Sequence, residues 1–468
     1  MKSTSRTISI YQLIKQAIRG DEQDFTAGGL NRAIFLLALP MILEMSMESL
    51  FAVVDIFYVS RLNNSHAVAA IGLTESVLTI VYSIAIGLSM GATAMVARRV
   101  GEKDREGAAV ASVQAIYIGL AISVVLGGLG AVFYQDVLQL MGASSEIVST
   151  GSRYTLWMFA GNISVMMLFL INAIFRGAGS AAIAMRSLWL ANICNMILDP
   201  MFIFGFGLIP AFGVEGAAIA TNLGRTIGVG YQLYYLAKSK GIVKINRNHL
   251  PVNWNIIGRL LKVSAGGTGQ FLIASASWIF LVKIMSAFGS AALAGYTIGV
   301  RVIMFTILPS WGLANASATL VGQNLGAGQP DRAEQSVWKT GYYNAMFLGL
   351  VMVGFLLFAD SILRFFTIEE EVIRYGSMCL RVVGLGYIFY GFGMVIAQSF
   401  NGAGDTKTPT VLNLVAFWCI QIPLAYLLAI MLGWGPLGVF AAIPISESAL
   451  TVAGIVVFRK GKWKHVKI

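Results

Sequence analysis

Charge is scarce in this sequence. Of 468 residues only 12% are Asp, Glu, Lys or Arg, about half the share of an ordinary globular protein, and 57% are hydrophobic. Histidine is nearly missing: His66, His249 and His465 all fall in connecting or terminal segments, which argues against a histidine-based metal centre. The three cysteines, Cys194, Cys379 and Cys419, are odd in number, share no metal-type spacing and sit inside apolar runs. They read as small buried hydrophobes, and a disulfide scaffold is excluded. No Walker-type phosphate loop occurs, so ATP-driven chemistry has no support. What is present is apolar sequence, in long stretches from Ala33 to Phe458, with a mean hydropathy of +0.75. That composition fits an all-α polytopic membrane protein and excludes a cytosolic enzyme or a disordered chain.

Twelve spans are expected, near 33–58, 67–93, 110–134, 154–175, 185–205 and 213–236, then 260–287, 292–320, 337–359, 378–400, 410–432 and 437–458. Each is long enough for a hydrocarbon core of ~30 Å. Ahead of them no continuous apolar run suggests a cleavable signal peptide, but Ile10, Leu13, Ile14, Ala17 and Ile18 recur at helical spacing. This predicts an amphipathic helix on the membrane surface. Basic residues cluster at the N-terminus, in the even-numbered connections and at the C-terminus, among them Lys2, Arg6, Arg98, Arg99, Lys240, Arg259, Lys262, Arg332, Lys407 and Lys460. The odd-numbered connections collect Asp136, Glu146, Asp360 and Glu369 to Glu371. Both termini are therefore expected in the cytoplasm. The same placement accounts for the net charge of +11, so no nucleic-acid partner is implied.

The chain repeats itself at one constant interval, the interval that carries Gly87-Leu88 onto Gly312-Leu313. The same shift aligns Gly101 with Gly326, Phe175 to Gly179 with Phe400 to Gly404, and Gly213-Val214 with Gly438-Val439. Six spans per unit is an even number, so both halves enter the membrane from the same side. This predicts two six-helix lobes related by a pseudo-twofold axis along the membrane normal, a transporter arrangement with a substrate path between the lobes. The expected divisions are a cytoplasmic N-terminal segment (1–30), an N-terminal lobe (31–237), a basic linker (238–256), a C-terminal lobe (257–458) and a basic tail (459–468).

Charges at membrane depth are costly and mark functional sites by default. Glu44, Glu48 and Asp55 fall within about 40° of one another on the first span at ~100° per residue. Glu75 lies in the second span and Asp199 in the fifth. Glu44, Glu48 and Glu75 are expected either to face a central cleft and attract cations or to be neutralised by local hydrogen bonds or Arg225. Asn195 and Asp199 share a helix face, and Asp55, Asn195, Asp199 and Thr221 reach similar depth. Two carboxylates, an amide and a hydroxyl suit an alkali cation such as Na⁺. They suit a proton equally, since paired buried carboxylates do not both ionise cheaply. The cleft lining is expected to include Met45, Trp278 and Tyr296, soft surfaces for amphiphilic cations. Pro40 lacks an N–H and marks a hinge in the first span. In the second half Arg301 and Glu447 either pair or leave Glu447 as the next candidate for coupling after Asp55, and Lys283 is expected to snorkel to the interface.

Several motifs resemble those of the multidrug and toxic compound extrusion (MATE) family. They are Leu39-Pro40 with Asp55 further along the same span, Gly91-Ala-Thr leading to Val100-Gly101, and Phe175-Arg176-Gly177-Ala178-Gly179. Asn195 to Pro200, Gly213 to Thr221 and Val321 to Gly328 complete the set. The resemblance covers nearly the whole chain after residue 30. It implies a cation-coupled exporter alternating between inward-open and outward-open V-shapes, with its cation site at Asp55, Asn195, Asp199 and Thr221. A fourth-span asparagine belongs to that network: Asn162 by depth, Asn172 by motif position. Spans 7 and 10 lack the central carboxylates of some branches, which places the chain nearer the DNA-damage-inducible and archaeal-like branch.

The resulting expectation is a Na⁺- or H⁺-coupled antiporter for cationic or amphiphilic small molecules. It would work as a monomer in a prokaryotic plasma membrane, with no cofactor beyond the coupling ion. A lipid-linked precursor flippase is the alternative within transport. An intramembrane enzyme would need metal or nucleophile motifs that the sequence does not carry.

Overall fold

The computed structural model describes residues 10–20, 23–62, 64–238 and 242–468. Lys2, Arg6 and Lys240, which entered the orientation argument, lie outside the described residues. The first half contains α1 (Ile10–Arg19), α2 (Leu30–Ser60), α3 (Ser65–Gly101), α4 (Arg105–Val132), α5 (Tyr134–Leu140), α6 (Ser145–Ala160), α7 (Asn162–Gly177), α8 (Ala181–Phe204) and α9 (Val214–Lys238). The second contains α10 (Trp254–Met285), α11 (Ser290–Gly326), α12 (Pro330–Arg364), α13 (Glu370–Gly384), α14 (Tyr387–Ala403), α15 (Lys407–Asn413), α16 (Ile422–Tyr426) and α17 (Pro436–Arg459). Two π-helical stretches, Leu414–Gln421 and Leu427–Met431, join α15 and α16 into one span.

Helices dominate because lipid offers no partner for an open backbone N–H or C=O. Among the described residues nine helices are long and apolar enough to cross a membrane alone. Two further crossings are bent pairs, α6 with α7 at 42° and α13 with α14 at 57°. The 25-residue α9, less apolar, completes twelve by length. The bent spans begin at Ser145 and Glu370, earlier than the apolar runs from 154 and 378 suggest, because their first turns are polar. Side-chain caps start several helices: Asn64 accepts from the N–H of Ala67 at 3.1 Å, Asp104 from Gly107 at 2.8 Å and Asn253 from Ile256 at 3.2 Å. Of the cysteines only Cys379 is buried; Cys194 is half-buried and Cys419 exposed, on a helical surface rather than in a core.

The repeat of the sequence is a repeat of the backbone. Ser65 and Ser290, Arg105 and Pro330, Ser145 and Glu370, and Asn162 and Tyr387 open corresponding helices, every pair related by the same shift that carries Gly87 to Gly312. The lobes meet where α3 crosses α11. A Cβ on Gly101 would stand 2.0 Å from the carbonyl oxygen of Gln323, and one on Gly326 would stand 2.2 Å from that of Arg98. Those contacts exchange under the repeat shift, as a two-fold requires. On the axis itself Gly322 faces Ala97, its own counterpart. The halves are therefore related in parallel rather than inverted.

Among the described residues the tightest contacts between the lobes gather toward one end. Gly87 and Gly91 press on Ser264, Gly312 presses on the backbone of Met41, and Thr319 and Gln323 donate to the carbonyls of Arg176 (3.1 Å) and Gly177 (2.9 Å). This end also holds α1 and the tail. Arg332 bonds the carbonyls of Phe25, Ala27 and Gly28, and Arg98 that of Val466 at 3.0 Å. Lys464 bridges to Glu334 at 2.6 Å, which raises its amine above the ordinary lysine range. The described part of the linker is tied to α4: Gln114 donates to the carbonyl of Pro251, and His249 meets Glu106 at 2.6 Å.

Candidate cation site and central cavity

Close packing of α8 on α9 builds the first site. Gly216, Gly224 and Gly228 let α9 approach the backbone of Phe202, Ala191 and Ser187, as small residues do between membrane helices. Asn195 then reaches both partners: its amide nitrogen donates to Asp199 Oδ1 at 3.3 Å and to Thr221 Oγ1 at 3.2 Å. Asn195 Oδ1 and Asp199 Oδ2 are buried with no hydrogen-bond partner. Asn162, the first residue of α7 after the bend at Gly161, is buried with both amide atoms unpartnered. Asn172 is fully engaged instead, with Glu44, Ser187 and Gln232. Of the two fourth-span asparagines, Asn162 is thus the one with free ligand atoms.

Asp55 on α2 is half-buried and accepts no hydrogen bond among the described residues. It lies within electrostatic reach of Asp199, Glu75 and Arg225. Tyr154, buried on α6, stands within reach of Asp55, Glu75 and Asp199 together. The sequence reading missed Tyr154; its signal was a polar-tipped ring two turns before Asn162 on the same span. Buried orphan oxygens beside a carboxylate pair are the lone pairs that a hard cation takes, and Asp199 Oδ2 takes a proton equally. No cluster of three His, Cys, Asp or Glu suited to a metal exists among the described residues.

The second feature is a cavity of about 210 Å³ between the lobes, just above their contact end. Met45, Glu48, Phe169, Arg176, Trp311 and Asn401 are among its walls. Glu48 is held by Arg225 at 2.9 Å and by the Asn192 amide at 3.0 Å, while Arg225 stacks over Phe51. The expectation that Glu44 faces this cleft is corrected: it is 1% exposed and bound inside the lobe by Arg176 at 2.7 Å and Asn172 at 3.0 Å. Arg176, read only as part of a motif, is that carboxylate's counter-ion. Glu75 is exposed and lies within electrostatic reach of Asp55 and of Arg301 in the other lobe.

One further lining residue is also corrected. Tyr296 is 2% exposed and stacks between Trp278 and Phe440 in the second lobe's core, which Trp278 joins from its edge. Arg301 and Glu447 make no ion pair; Glu447 lies near Tyr390 inside its lobe instead. Lys283 is exposed near the end of α10. Pro40 is buried within α2, which continues through it unbroken.

Comparison with known proteins adds four findings. The MatE family model matches residues 40–201 and 268–427, one stretch in each half. The chain is 24% identical over 435 residues to a probable multidrug resistance protein NorM of Thermotoga maritima, covering 93% of both chains. It is 25% identical over 436 residues to an FAD transporter of Shewanella oneidensis, covering 92% of this chain and 95% of that one. It also superposes on a multidrug resistance MATE family transporter of the MOP superfamily solved in an outward-facing conformation. There the TM-score is 0.88 at 26% identity, over the whole of both chains.

Proposed function

The chain belongs to the MatE family of multi-pass membrane transporters, and we propose that it is a Na⁺- or H⁺-coupled antiporter that exports cationic or amphiphilic small molecules. One observation carries this reading: Asn195 Oδ1 and Asp199 Oδ2 are buried without partners beside a second carboxylate, Asp55, that also lacks one. A folded protein retains such unspent acceptors where a transported ion takes them up. Asn195 and Thr221 add neutral oxygens, which favours Na⁺, while the carboxylate pair alone would serve a proton.

In this reading substrate enters the gap between the lobes and meets Met45, Phe169 and Trp311, with Glu75 at the rim and Glu48 deeper. Binding of the ion at Asp55 and Asp199 changes the charge inside the first lobe, and α2 responds by bending at Pro40. The lobes then part at the end that now closes them. With the termini in the cytoplasm, as the basic residues argue, the closed end is cytoplasmic and the conformation is outward-facing.

A second reading concerns the cargo. Both charges lining the cavity, Glu48 and Arg176, are already paired, so its floor is electrically balanced. That balance supports amphiphilic anions such as the flavin dinucleotide carried by one relative, and leaves cation preference resting on Glu75 and Asp55. Efflux of a fluorescent organic cation from proteoliposomes, under Na⁺ and H⁺ gradients imposed separately, tests both. Efflux under either gradient, lost in Asp55→Asn, supports the first reading; gradient-driven movement of a flavin dinucleotide but of no cation supports the second.

A further inference from the structure

A groove of about 620 Å³ opens at the closed end of the second lobe, between the first turns of α10 and α15 and the chain's last described residues. Arg259, Lys262, Lys407 and Lys467 line it, all exposed, and none has a hydrogen-bond or ion-pair partner among the described residues. Its one acidic side chain, Asp405, is turned to α15, where it accepts from the N–H and hydroxyl of Thr408 at 3.2 and 2.6 Å. Four uncompensated cations in one groove are a cost unless something anionic joins them.

The two-fold shows what belongs there. The counterparts of Arg259, Lys262 and Lys407 in the first lobe are Ile34, Leu37 and Ala182, all buried. They are covered by the amphipathic α1 and the segment after it. Gly20 packs against Ala182, Arg186 donates to the carbonyl of Arg19 at 3.2 Å, and Ala17 and Phe25 complete the same apolar cluster. In the second lobe the chain before α10 is tied away to α4 by Gln114 and Tyr117, and only the tail reaches this place, with Ile468 packed on Gly404 where Phe25 packs on Gly179. One lobe thus fills this place with an amphipathic segment of its own chain. The other closes only its tail side, leaves the rest open as a groove and replaces the three buried apolar residues by cations.

Below the cations the walls turn apolar and outward: Leu261 on α10, and Val411, Leu414 and Val415 on the facing span, are all exposed. Trp254, 78% exposed at the start of α10, marks the interfacial level. Cationic top and apolar flank match an amphiphile with an anionic head. We propose that this groove seats an anionic phospholipid of the leaflet on the side of the termini, its phosphodiester among Arg259, Lys262, Lys407 and Lys467 and its acyl chains against Leu261, Val411 and Leu414. The lipid stands where α1 stands in the other lobe. The inference is independent of what the protein exports.

Native mass spectrometry of the full chain, released from detergent with equal amounts of phosphatidylglycerol and phosphatidylcholine, reads it directly. Phosphatidylglycerol adducts are expected to dominate in the unmodified protein and to fall about tenfold or more in Arg259→Gln/Lys262→Gln/Lys407→Gln. Lys262→Arg/Lys407→Arg should retain them, which also guards against a misfolded triple variant. Lys244→Gln/Lys460→Gln/Lys462→Gln, with the same charge removed elsewhere at this end, should retain them too. Equal retention of the two lipids, or equal loss in the two triple variants, would overturn the proposal in favour of a diffuse basic surface. Displacement of the lipid by an equal concentration of glycerol phosphate would overturn it in favour of a small soluble anion.

Discussion

The two lobes share a backbone and almost none of its interior chemistry. In the first, Glu44, Glu48, Asp55, Glu75, Asp199 and Arg225 stand at membrane depth; at the matching positions of the second, the chain carries Gly269, Ile273, Phe280, Val300, Leu424 and Leu450. Where Arg176 binds Glu44 at 2.7 Å, its counterpart Asn401 exchanges hydrogen bonds with Gln270 at 2.9 and 3.2 Å. A neutral amide pair holds one lobe at the place where an ion pair holds the other. Hydrocarbon makes each charge costly, so a lobe that only needs to be rigid sheds them. In the proposed function the first lobe is the one that couples to the ion, and the second, with only Lys283, Arg301 and Glu447 in its spans, is the body it moves against.

The sharpest way to break that contrast is to neutralise one acid in each lobe. Asp55→Asn keeps shape and removes charge, so gradient-driven efflux should fall to the level of gradient-free liposomes while the protein still extracts as a folded monodisperse species. Glu447→Gln should leave efflux and its ion dependence unchanged. Loss of coupling in the second variant with retention in the first would move the coupling site into the second lobe.

Next in size are the holding pairs. Arg176→Ala strands the buried Glu44 carboxylate, an effect of about 3–5 kcal/mol. Asn401→Ala strands only a neutral amide, an effect of about 1–3 kcal/mol. Denaturant titration in micelles should rank them in that order. An equal loss would mean that Glu44 takes up a proton when unpaired, which removes the penalty.

The two-fold crossing offers a smaller and symmetric test. Gly101→Ala and Gly326→Ala each drive a methyl into the opposing carbonyl, at 2.0 and 2.2 Å, and should cost about 1–3 kcal/mol apiece. They should also raise cysteine-labelling rates at the closed end by similar factors. Gly128→Ala, with no atom within 4 Å of the new methyl, should do neither. Unequal effects at Gly101 and Gly326 would show that the crossing is less symmetric than its geometry.

Much of this was legible in the sequence. Apolar runs marked the twelve spans, and glycines recurring at the repeat interval marked the two-fold; that Gly101 and Gly326 stand where two helices cross came only from the packing, which leaves no room for a side chain there. The bends at Gly161 and before Tyr387 were not, since Ser145 to Arg153 and Glu370 to Arg381 are too polar to look like membrane helix. Helical spacing put Glu44, Glu48 and Asp55 on one face but did not reveal their partners. The long stretch of chain between Glu44 and Arg176 is crossed only by the packing of α2 against the helices beyond it. Tyr296 misled for a related reason: an aromatic ring near a charged span suits a cleft or a core, and only its stacking on Phe440 decides.

The smallest difference between the lobes is a single hydrogen bond. Thr74 on α3 and Thr155 on α6 are fully buried and share a bond of 2.8 Å; their counterparts are Gly299 and Leu380, which cannot form one. Each threonine also has a carbonyl of its own helix within reach, Ala70 at 2.7 Å and Gly151 at 3.4 Å. Replacing Thr74 by the near-isosteric Val therefore leaves the Thr155 hydroxyl a remaining acceptor, and the loss should be about 0.5–1.5 kcal/mol. Thr155→Val should cost slightly less, because its own carbonyl bond is the longer one. The double variant should cost less than the two singles combined, since both singles break the same bond. Strict additivity in micelle denaturation would mean that the two hydroxyls act separately. The pair would then be an accident of packing rather than a link holding α6 to α3 beside Tyr154 and the candidate cation site.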